Sequence, residues 1–253
     1  MNKAVIGSAQ LYFSTLTSTN QFANYLLSKT RPSAGTVIST AYQSVGEGQF
    51  GRSWFGSKGT NLYLSVILYP QIPAEAQFKL SAFVALALRD TVGHFIDKRV
   101  TIKWPNDIYV ENRKIGGILI RNSISGLLIQ NTVIGIGLNV NEIEFPGDLP
   151  NPTSVNIESG HDFDLNTVMK KLLDFLNVWH QKAREMPFNI LKKQYTAHLY
   201  NMGKISPFHK IETNTKLSAR IHGVDDMGRL LLEIPDVGRV EAFALNQIRL
   251  ITE

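Results

Sequence analysis

The sequence predicts an α+β protein in which a mixed, largely antiparallel sheet is flanked by helices and followed by a small β-barrel. Residues 78–96 are apolar on a 3.6-residue period, which is typical of a buried helix. Residues 100–136 hold four short strand-like segments, with turns predicted at Glu111-Asn112-Arg113 and Asn122-Ser123, so antiparallel hairpins are expected. After Gly203 the helical pattern ends and short strand-like segments alternate with turns.

The N-terminal part combines one helix, two strands and a loop. Ser18-Thr19-Asn20 precede an apolar-periodic stretch, which predicts the start of a helix. Residues 36–43 and 62–69 are rich in β-branched or apolar side chains and predict strands. Residues 44–60 contain five glycines and predict a loop between these strands.

The second half predicts two helices, at residues 165–184 and 189–200, after a long connection at 141–159 that is rich in Pro, Asn and acidic residues. We place a domain boundary near Gly203. This predicts a large domain over residues 1–202 and a barrel of about 50 residues over 203–253.

Composition excludes several kinds of protein. Of 253 residues, 43% are hydrophobic and 19% charged, which predicts a packed core. The absence of cysteine excludes disulfides, thiol catalysis and thiolate metal sites. Residues 1–10 lack the features of a signal peptide, and the apolar runs are too short to span a membrane. A cytoplasmic location without membrane attachment is therefore expected.

The net charge of +5 comes from scattered basic residues without any run of five, which argues against a basic nucleic-acid arm. From Gly203 onward seven basic residues balance seven acidic ones, so the excess lies in the larger domain. An ordinary surface would explain this positive excess. Its location in residues 1–202 favours a face of the larger domain that meets anionic phosphates.

The corner from Lys103 to Asp107 is a first candidate site. Pro105 restricts the preceding backbone, and Asn106 and Asp107 can hydrogen-bond locally as turn residues do. The segment would serve equally as a plain proline corner between strands or as a convergence of site residues at a strand end. The residues of the corner leave both interpretations open.

Lys114 favours the site interpretation, because the hairpin folds it back toward the first strand. By strand alternation Lys114, Gly116 and Ile118 are expected on one face. The pair Gly116-Gly117 inside an apolar strand indicates close approach of a ligand or another backbone. The alternative is an ordinary surface lysine at a turn.

The glycine loop, residues 46–54, is a third candidate. Its glycines let backbone N–H groups approach anionic oxygens, and Arg52 could add a bidentate contact. It is neither a Walker loop nor a dinucleotide fingerprint, because no Gly-Lys-Ser/Thr follows and the next element is a strand. Alone, this loop and the segment Gly135-Ile136-Gly137-Leu138-Asn139 are ambiguous.

Taken in order, these segments resemble the biotin–protein ligase family. The matching pieces are Ser18-Thr19-Asn20, Gln43, residues 46–54, Asn61 to Ser65, Lys103-Trp104-Pro105-Asn106-Asp107, Arg113 to Leu119, and Gly135 to Asn139. The resemblance covers about residues 11–200, and the barrel-like tail is compatible with it. It implies a class II synthetase-like catalytic domain with a C-terminal SH3-like barrel.

The resemblance implies a two-step, ATP-dependent reaction. Biotin and ATP, with Mg²⁺, would give biotinyl-5′-AMP and pyrophosphate, and a lysine of a biotin carboxyl carrier protein would then accept the biotin. The implied catalytic residues are Lys114 and Arg52. The implied biotin-binding residues are Ser18, Thr19, Asn20, Gln43, Gly48, Gln49, Lys114, Gly116 and Gly117, and the implied ATP- and adenylate-binding residues are Trp54, Lys103, Asn106, Asp107 and Asn139. The sequence does not identify Mg²⁺ ligands.

Two positions depart from the family pattern. Many members carry Arg where this chain has Glu47, and a basic or polar residue where it has Phe50. A carboxylate at position 47 is expected to repel the carboxylate of biotin and the phosphates. Looser closure of the loop over the adenylate would give a slower or leakier enzyme, and the alternative is a paralogue with an altered substrate. Arg52 retains one positive group in this loop.

The resemblance also bears on partners. The first motif begins at Ser18, so no N-terminal helix-turn-helix domain and no DNA binding are expected. The family often forms dimers along the edge of its central sheet, so a homodimer is one expected state. The alternatives are a lipoate–protein ligase of the same fold, a non-catalytic biotin-binding paralogue, and a nucleic-acid-binding role for the tail, which its balanced charge disfavours.

Overall fold

Two β-sheets and five α-helices make up the computed structural model, which describes residues 4–235 and 238–251. In chain order the elements are β1 (Gln10–Phe13), α1 (Thr19–Lys29), β2 (Val37–Thr40), β3 (Leu62–Leu68), β4 (Ile72–Pro73), α2 (Phe78–Phe95), β5 (Val100–Lys103), β6 (Asp107–Val110), β7 (Arg113–Ser125), β8 (Leu128–Leu138), α3 (Val155–Ser159), α4 (Leu165–Glu185), α5 (Phe188–Ala197), β9 (Ile205–Lys210), β10 (Thr215–Val224), β11 (Leu230–Ile234), β12 (Arg239–Phe243) and β13 (Ile248–Leu250).

The larger sheet has the order β1-β2-β3-β8-β7-β6-β5, with β4 paired to β8. Only the β1–β2 pair is parallel among the described pairs, and the others are antiparallel. The predicted α+β class with a mixed, largely antiparallel sheet is confirmed.

Each face of this sheet is covered by different helices. Successive residues of a strand point to opposite faces, and Val37 and Ile38 accordingly belong to two separate apolar clusters. The larger cluster is centred on α2, which packs against α4 and α5. The smaller one includes Ala23 of α1, so α1 covers the opposite face. That second face carries the candidate site.

The sequence located most of these elements, but some predictions were wrong. Asn122-Ser123 is not the hairpin turn, since β7 runs on to Ser125 and the turn lies at Gly126, where φ is +59°. The connection at 141–159 contains the short helix α3, whose first turn is capped by the Ser154 side chain. The strands β1 and β4 were not predicted, and in the tail β9 and β13 were not located individually.

The second sheet, in the order β12-β11-β10-β9-β13, is entirely antiparallel and forms the predicted C-terminal strand module. Its buried side chains, such as Phe208 and Leu232, join the same apolar cluster as α2 and the larger sheet. The boundary near Gly203 therefore stays a prediction. No helix of the described chain has both the length and the apolar character needed to cross a membrane.

Candidate functional site

A cavity of about 950 Å³ lies between the α1-covered face of the larger sheet, the glycine loop and the C-terminal module. It contains nearly every predicted site residue, which lie far apart in the chain. These are Ser18, Thr19, Asn20, Gln43, Gly48, Gln49, Arg52, Trp54, Lys103, Asn106, Asp107, Lys114, Gly117 and Asn139. The exception is Gly116, which does not line the cavity.

The indole of Trp54 lies flat on the sheet because two strands carry glycine beneath it. A Cβ atom at Gly117 would stand 2.7 Å from Trp54 Cζ3, and one at Gly137 would stand 2.6 Å from Cε2. Both separations are too short for any side chain. The glycines of β7 and β8 therefore provide space for an aromatic floor inside the cavity.

A bulge in β7 corrects the predicted face of Lys114. Tyr109 pairs with Lys114 and Ile108 pairs with Gly116, so Ile115 is an extra residue in β7. As a result Lys114 shares the cavity face with Gly117. A Cβ at Gly116 would instead approach Leu88 of α2 at 3.3 Å. The prediction that Lys114 and Gly116 share one face was wrong, because simple alternation does not hold across a bulge.

Lys114 is held by charge and by an aromatic face. Its Nζ lies 2.7 Å from Asp107 Oδ1 and 5.3 Å from the centre of the Trp54 ring. The side chains of Lys114 and Asp107 are 30% and 21% exposed, so both remain accessible from the cavity. Asn106 fixes the corner beside them, because its Nδ2 donates to the Ile118 carbonyl at 2.6 Å. The corner and the hairpin thus converge as predicted.

Lys103 adds a second ammonium to the same region. The pKa of Lys103 is lowered from 10.5 to about 8, mainly by burial, and the Asp107 carboxylate opposes that shift. The charges of Lys114, Arg52 and Arg249 contribute to the lowering. Its Nζ donates to Tyr109 Oη at 3.0 Å. Four cationic groups therefore surround one part of the cavity, which suits a multiply charged anion.

The opposite end of the cavity is polar and nearly neutral. Thr19 donates from its backbone N to Gln43 Oε1 at 2.8 Å, and the Ser65 hydroxyl lies 2.8 Å from Thr19 Oγ1 and 2.9 Å from Asn20 Oδ1. Gly135 leaves the space that Asn20 fills. Ser18 caps α1 by accepting from the Gln21 backbone N at 3.4 Å. These groups offer an uncharged ligand several hydrogen-bonding partners.

Two buried polar atoms of the cavity lining have no hydrogen-bond partner among the described residues, namely Trp54 Nε1 and Asn139 Oδ1. The other amide atom of Asn139 donates to the Thr153 carbonyl at 2.9 Å, which orients the side chain. Leaving buried polar atoms unpaired costs stability. A bound ligand that supplies partners would remove that cost.

Glu47 does not point its charge freely into the cavity. Its carboxylate forms an ion pair with Arg121 at 2.6 Å and accepts a hydrogen bond from Gln21 Nε2. The expected repulsion of an anionic ligand is thereby reduced. Phe50, the other departure, is 68% exposed in a left-handed conformation with φ of +56°.

Sequence reasoning missed several residues at the site. Arg249 and Asn246 of the C-terminal module line the cavity, and Arg121 was also missed. Ser65 lies in the segment Asn61 to Ser65 that resembles the family, but it was not assigned to the site, and it joins the polar end. No local signal marks Arg249, Asn246 and Arg121, because only the folded chain brings them to the site. No group of three or more potential metal-binding side chains was found in the described part of the chain.

Fold and site together define a protein with an α+β sheet domain whose cavity has one neutral polar end and one strongly cationic end. A model of the Biotin/lipoate A/B protein ligase family matches residues 12–139, and the chain belongs to this family. It is 32% identical to a biotin–[acetyl-CoA-carboxylase] ligase of Paracoccus denitrificans, over 76% of this chain and 82% of the relative.

Further similarities extend over most of the chain. It is 28% identical to the bifunctional ligase/repressor BirA of Bacillus subtilis, over 90% of this chain and 70% of the relative. Among solved structures, the biotin protein ligase of Aquifex aeolicus in complex with biotin and ATP superposes with a TM-score of 0.79 at 22% identity. That match covers 97% of this chain and all of the other, and it shows the shared fold.

Proposed function

We propose that this protein is a biotin–protein ligase that activates biotin with ATP and transfers it to a lysine of a carrier protein. The observation that carries the proposal is that one cavity contains both a neutral polar end and a cluster of four cationic groups that includes Lys114. Biotin has a neutral polar ring and a carboxylate tail, and ATP is strongly anionic. One cavity therefore offers each part of both substrates a suitable environment.

In the first step an oxygen of the biotin carboxylate attacks the α-phosphorus of ATP. A new P–O bond forms, the bond to the leaving pyrophosphate breaks, and biotinyl-5′-AMP remains bound. Two anionic groups must approach each other, so a positive charge between them lowers the barrier. We assign this role to Lys114, whose compact ammonium Asp107 orients at 2.7 Å. Lys103 and Arg52 would bind the phosphates.

The polar end of the cavity would hold the ring of biotin. Thr19, Asn20, Gln43 and Ser65 already form one connected hydrogen-bonded group there. Such pre-ordered partners favour a ligand with a polar ring over one with a plain hydrocarbon tail. Trp54 would pack on the adenylate, because its indole forms the floor next to Lys114.

In the second step the amine of an acceptor lysine attacks the acyl carbon of biotinyl-5′-AMP. An amide bond forms, the bond to phosphate breaks, AMP leaves, and the amine loses a proton. The acceptor we propose is a biotin carboxyl carrier protein, as the name of the Paracoccus relative suggests. The cytoplasmic location, the homodimer and the absence of DNA binding stay predictions.

Mg²⁺ would enter with ATP. Magnesium commonly uses one or two protein carboxylates together with phosphate oxygens and water, so it needs no dedicated cage of side chains. Asp107 is the carboxylate of the described cavity lining on the cationic side, and it would hold the ion against the phosphates. The ion would neutralise charge on the leaving pyrophosphate.

Pyrophosphate exchange into ATP tests the proposal directly. Exchange that depends on biotin and not on lipoate is the expected result. Exchange with lipoate alone would identify a lipoate–protein ligase, and binding of biotin without exchange would identify a non-catalytic paralogue. Either outcome overturns the proposal. The ion pair of Glu47 with Arg121 argues against the second alternative, because it removes the expected repulsion.

A further inference from the structure

Glu47, Arg121 and Gln21 form a bridge from the glycine loop to two other elements, which we call the clasp. Glu47 Oε2 lies 2.6 Å from a guanidinium nitrogen of Arg121 on β7, and Oε1 accepts from Gln21 Nε2 on α1. The carboxylate thus uses both oxygens. The clasp joins the loop to the sheet and to the helix at once.

Trp54 anchors one end of the loop, because its indole packs over Gly117 and Gly137. The stem is closed by backbone hydrogen bonds from Gly48 N to Arg52 O at 2.7 Å and from Trp54 N to Gly46 O at 2.9 Å. In the described chain, Glu47 makes the only side-chain hydrogen bonds found for residues 47–53. The clasp is therefore the side-chain hydrogen-bonded attachment of this part of the loop.

The clasp lies beside the polar end of the cavity. Along β7, Gly117 and Leu119 line the cavity, and strand alternation places Arg121 next on that face. Gln21 follows Thr19 and Asn20 in the first turn of α1. Closing the clasp therefore draws the loop across the ligand near its neutral end.

We infer that the clasp holds the glycine loop over bound biotinyl-5′-AMP and slows its escape, with Arg121 and Gln21 as positioning residues that act through Glu47. The inference rests on the proposed function for the identity of the ligand. It also gives Glu47 a different role from the expected repulsion of the ligand. The carboxylate stands where many family members carry Arg, and it attaches the loop through its ion pair with Arg121.

The size of the effect follows from exposure. The side chains of Arg121 and Glu47 are 45% and 23% exposed, and ion pairs of this kind contribute up to about 1 kcal/mol. That corresponds to about a fivefold change in a rate of escape. Salt screens such pairs, so release from the unmodified enzyme should accelerate between low and high ionic strength.

Charge reversal provides the test. Labelled biotinyl-5′-AMP is formed on the enzyme from biotin and radiolabelled ATP, and its release is followed after a chase with unlabelled substrates. Glu47→Arg and Arg121→Glu each place like charges together and should speed release about fivefold. The double variant Glu47→Arg/Arg121→Glu restores an opposite-charge pair and should return release to near the original rate.

A matched control variant and a measurement without ligand distinguish a loss of loop attachment from a general loss of stability. Arg220→Glu breaks an ion pair with Glu233 in the C-terminal module, where the arginine is 45% exposed as Arg121 is, and release should not change. Chymotrypsin cleavage after the exposed Phe50, measured without substrates by mass spectrometry, should be faster in each single reversal and normal in the double variant.

The outcomes distinguish the two proposals. If the unmodified enzyme forms no adenylate, the proposed function fails, while the cleavage experiment still tests the clasp. If adenylate forms but both single reversals and the double variant release it at one rate, with equal cleavage after Phe50, the clasp is refuted.

Discussion

Trp104 Nε1 donates a hydrogen bond of 2.8 Å to the carbonyl of Gly228, joining the corner of the candidate site to the C-terminal module. Gly228 has φ of +81°, and a Cβ there would lie 2.3 Å from the Phe78 ring, so only glycine fits this contact. The turn before it is held by Asp225, which accepts from Met227 N and Arg229 N. The module thereby sits against the segment that carries Lys103 and Asp107.

Trp104→Phe should weaken this attachment. A six-membered aromatic ring stays, but the pyrrole ring with its N–H is lost, which costs at least about 1 kcal/mol of unfolding free energy. Because Arg249 of the module also faces the cavity, KM for ATP should rise about threefold to tenfold. Urea unfolding and steady-state kinetics measure the two effects.

Trp179→Phe is the matched control, because its indole N–H donates to Asp90 at 2.8 Å away from the cavity. It should lose similar stability and keep KM for ATP. Equal kinetic effects of both variants would show that the Trp104–Gly228 contact has no special role.

Lys114→Ala should reduce biotin-dependent pyrophosphate exchange by about 10²- to 10³-fold, the usual effect of removing one charged stabiliser of a transition state. The fold should survive, since the Lys114 side chain is 30% exposed. Lys170→Ala on the exposed surface of α4 is the control. Near-normal exchange by the Lys114 variant would remove this residue from the mechanism.

The adjacent glycines Gly116 and Gly117 should respond differently to alanine. Gly117→Ala would push on Trp54, where its Cβ would come within 2.7 Å of the indole, and adenylate affinity should fall at least about tenfold. Gly116→Ala would press on Leu88 across the other face, costing about 1–2 kcal/mol of stability and little affinity. Calorimetric titration and urea unfolding separate the two. Equal losses of affinity would contradict the opposite-face arrangement.

Lys103 should impose an alkaline limit on activity. Its pKa in the folded protein is lowered to about 8, so the ammonium loses its proton as the pH rises through that value. The pH profile of kcat/KM for ATP reports groups of the free enzyme. It should fall with an apparent pKa of about 8, and Lys103→Arg should move this limit upward by more than one pH unit.

The same pKa shift affects stability with a defined sign. Between pH 8 and 10.5 the unfolded chain binds more protons at Lys103 than the folded chain does, so the destabilisation caused by this group decreases as the pH rises through that window. Below pH 8 Lys103 is charged in both the folded and the unfolded chain, so the cost of burying its ammonium destabilises the folded protein in full. Lys103→Met should therefore raise Tm at pH 7 by roughly 2–4 °C, and the gain should shrink toward pH 10. A constant gain at all pH values would argue against titration as the cause.

The sequence by itself determined most of the local elements and the candidate residues that the fold brings to one cavity. Helical periodicity located α2, α4 and α5, and the glycine loop, the Lys103–Asp107 corner and Lys114 were found from residue type and spacing. These features depend on interactions between residues near in sequence, so a linear pattern carries them.

Only the tertiary structure decided which residues meet across long distances. The bulge at Ile115 moved Lys114 to the face of Gly117, because one extra residue reverses strand alternation. The pairing of Glu47 with Arg121, 74 residues apart, turned an expected repulsion into an attachment. Arg249 likewise reaches the cavity through the docking of a separate sheet. Such contacts depend on the packing of whole elements, and no local pattern in one sequence encodes them.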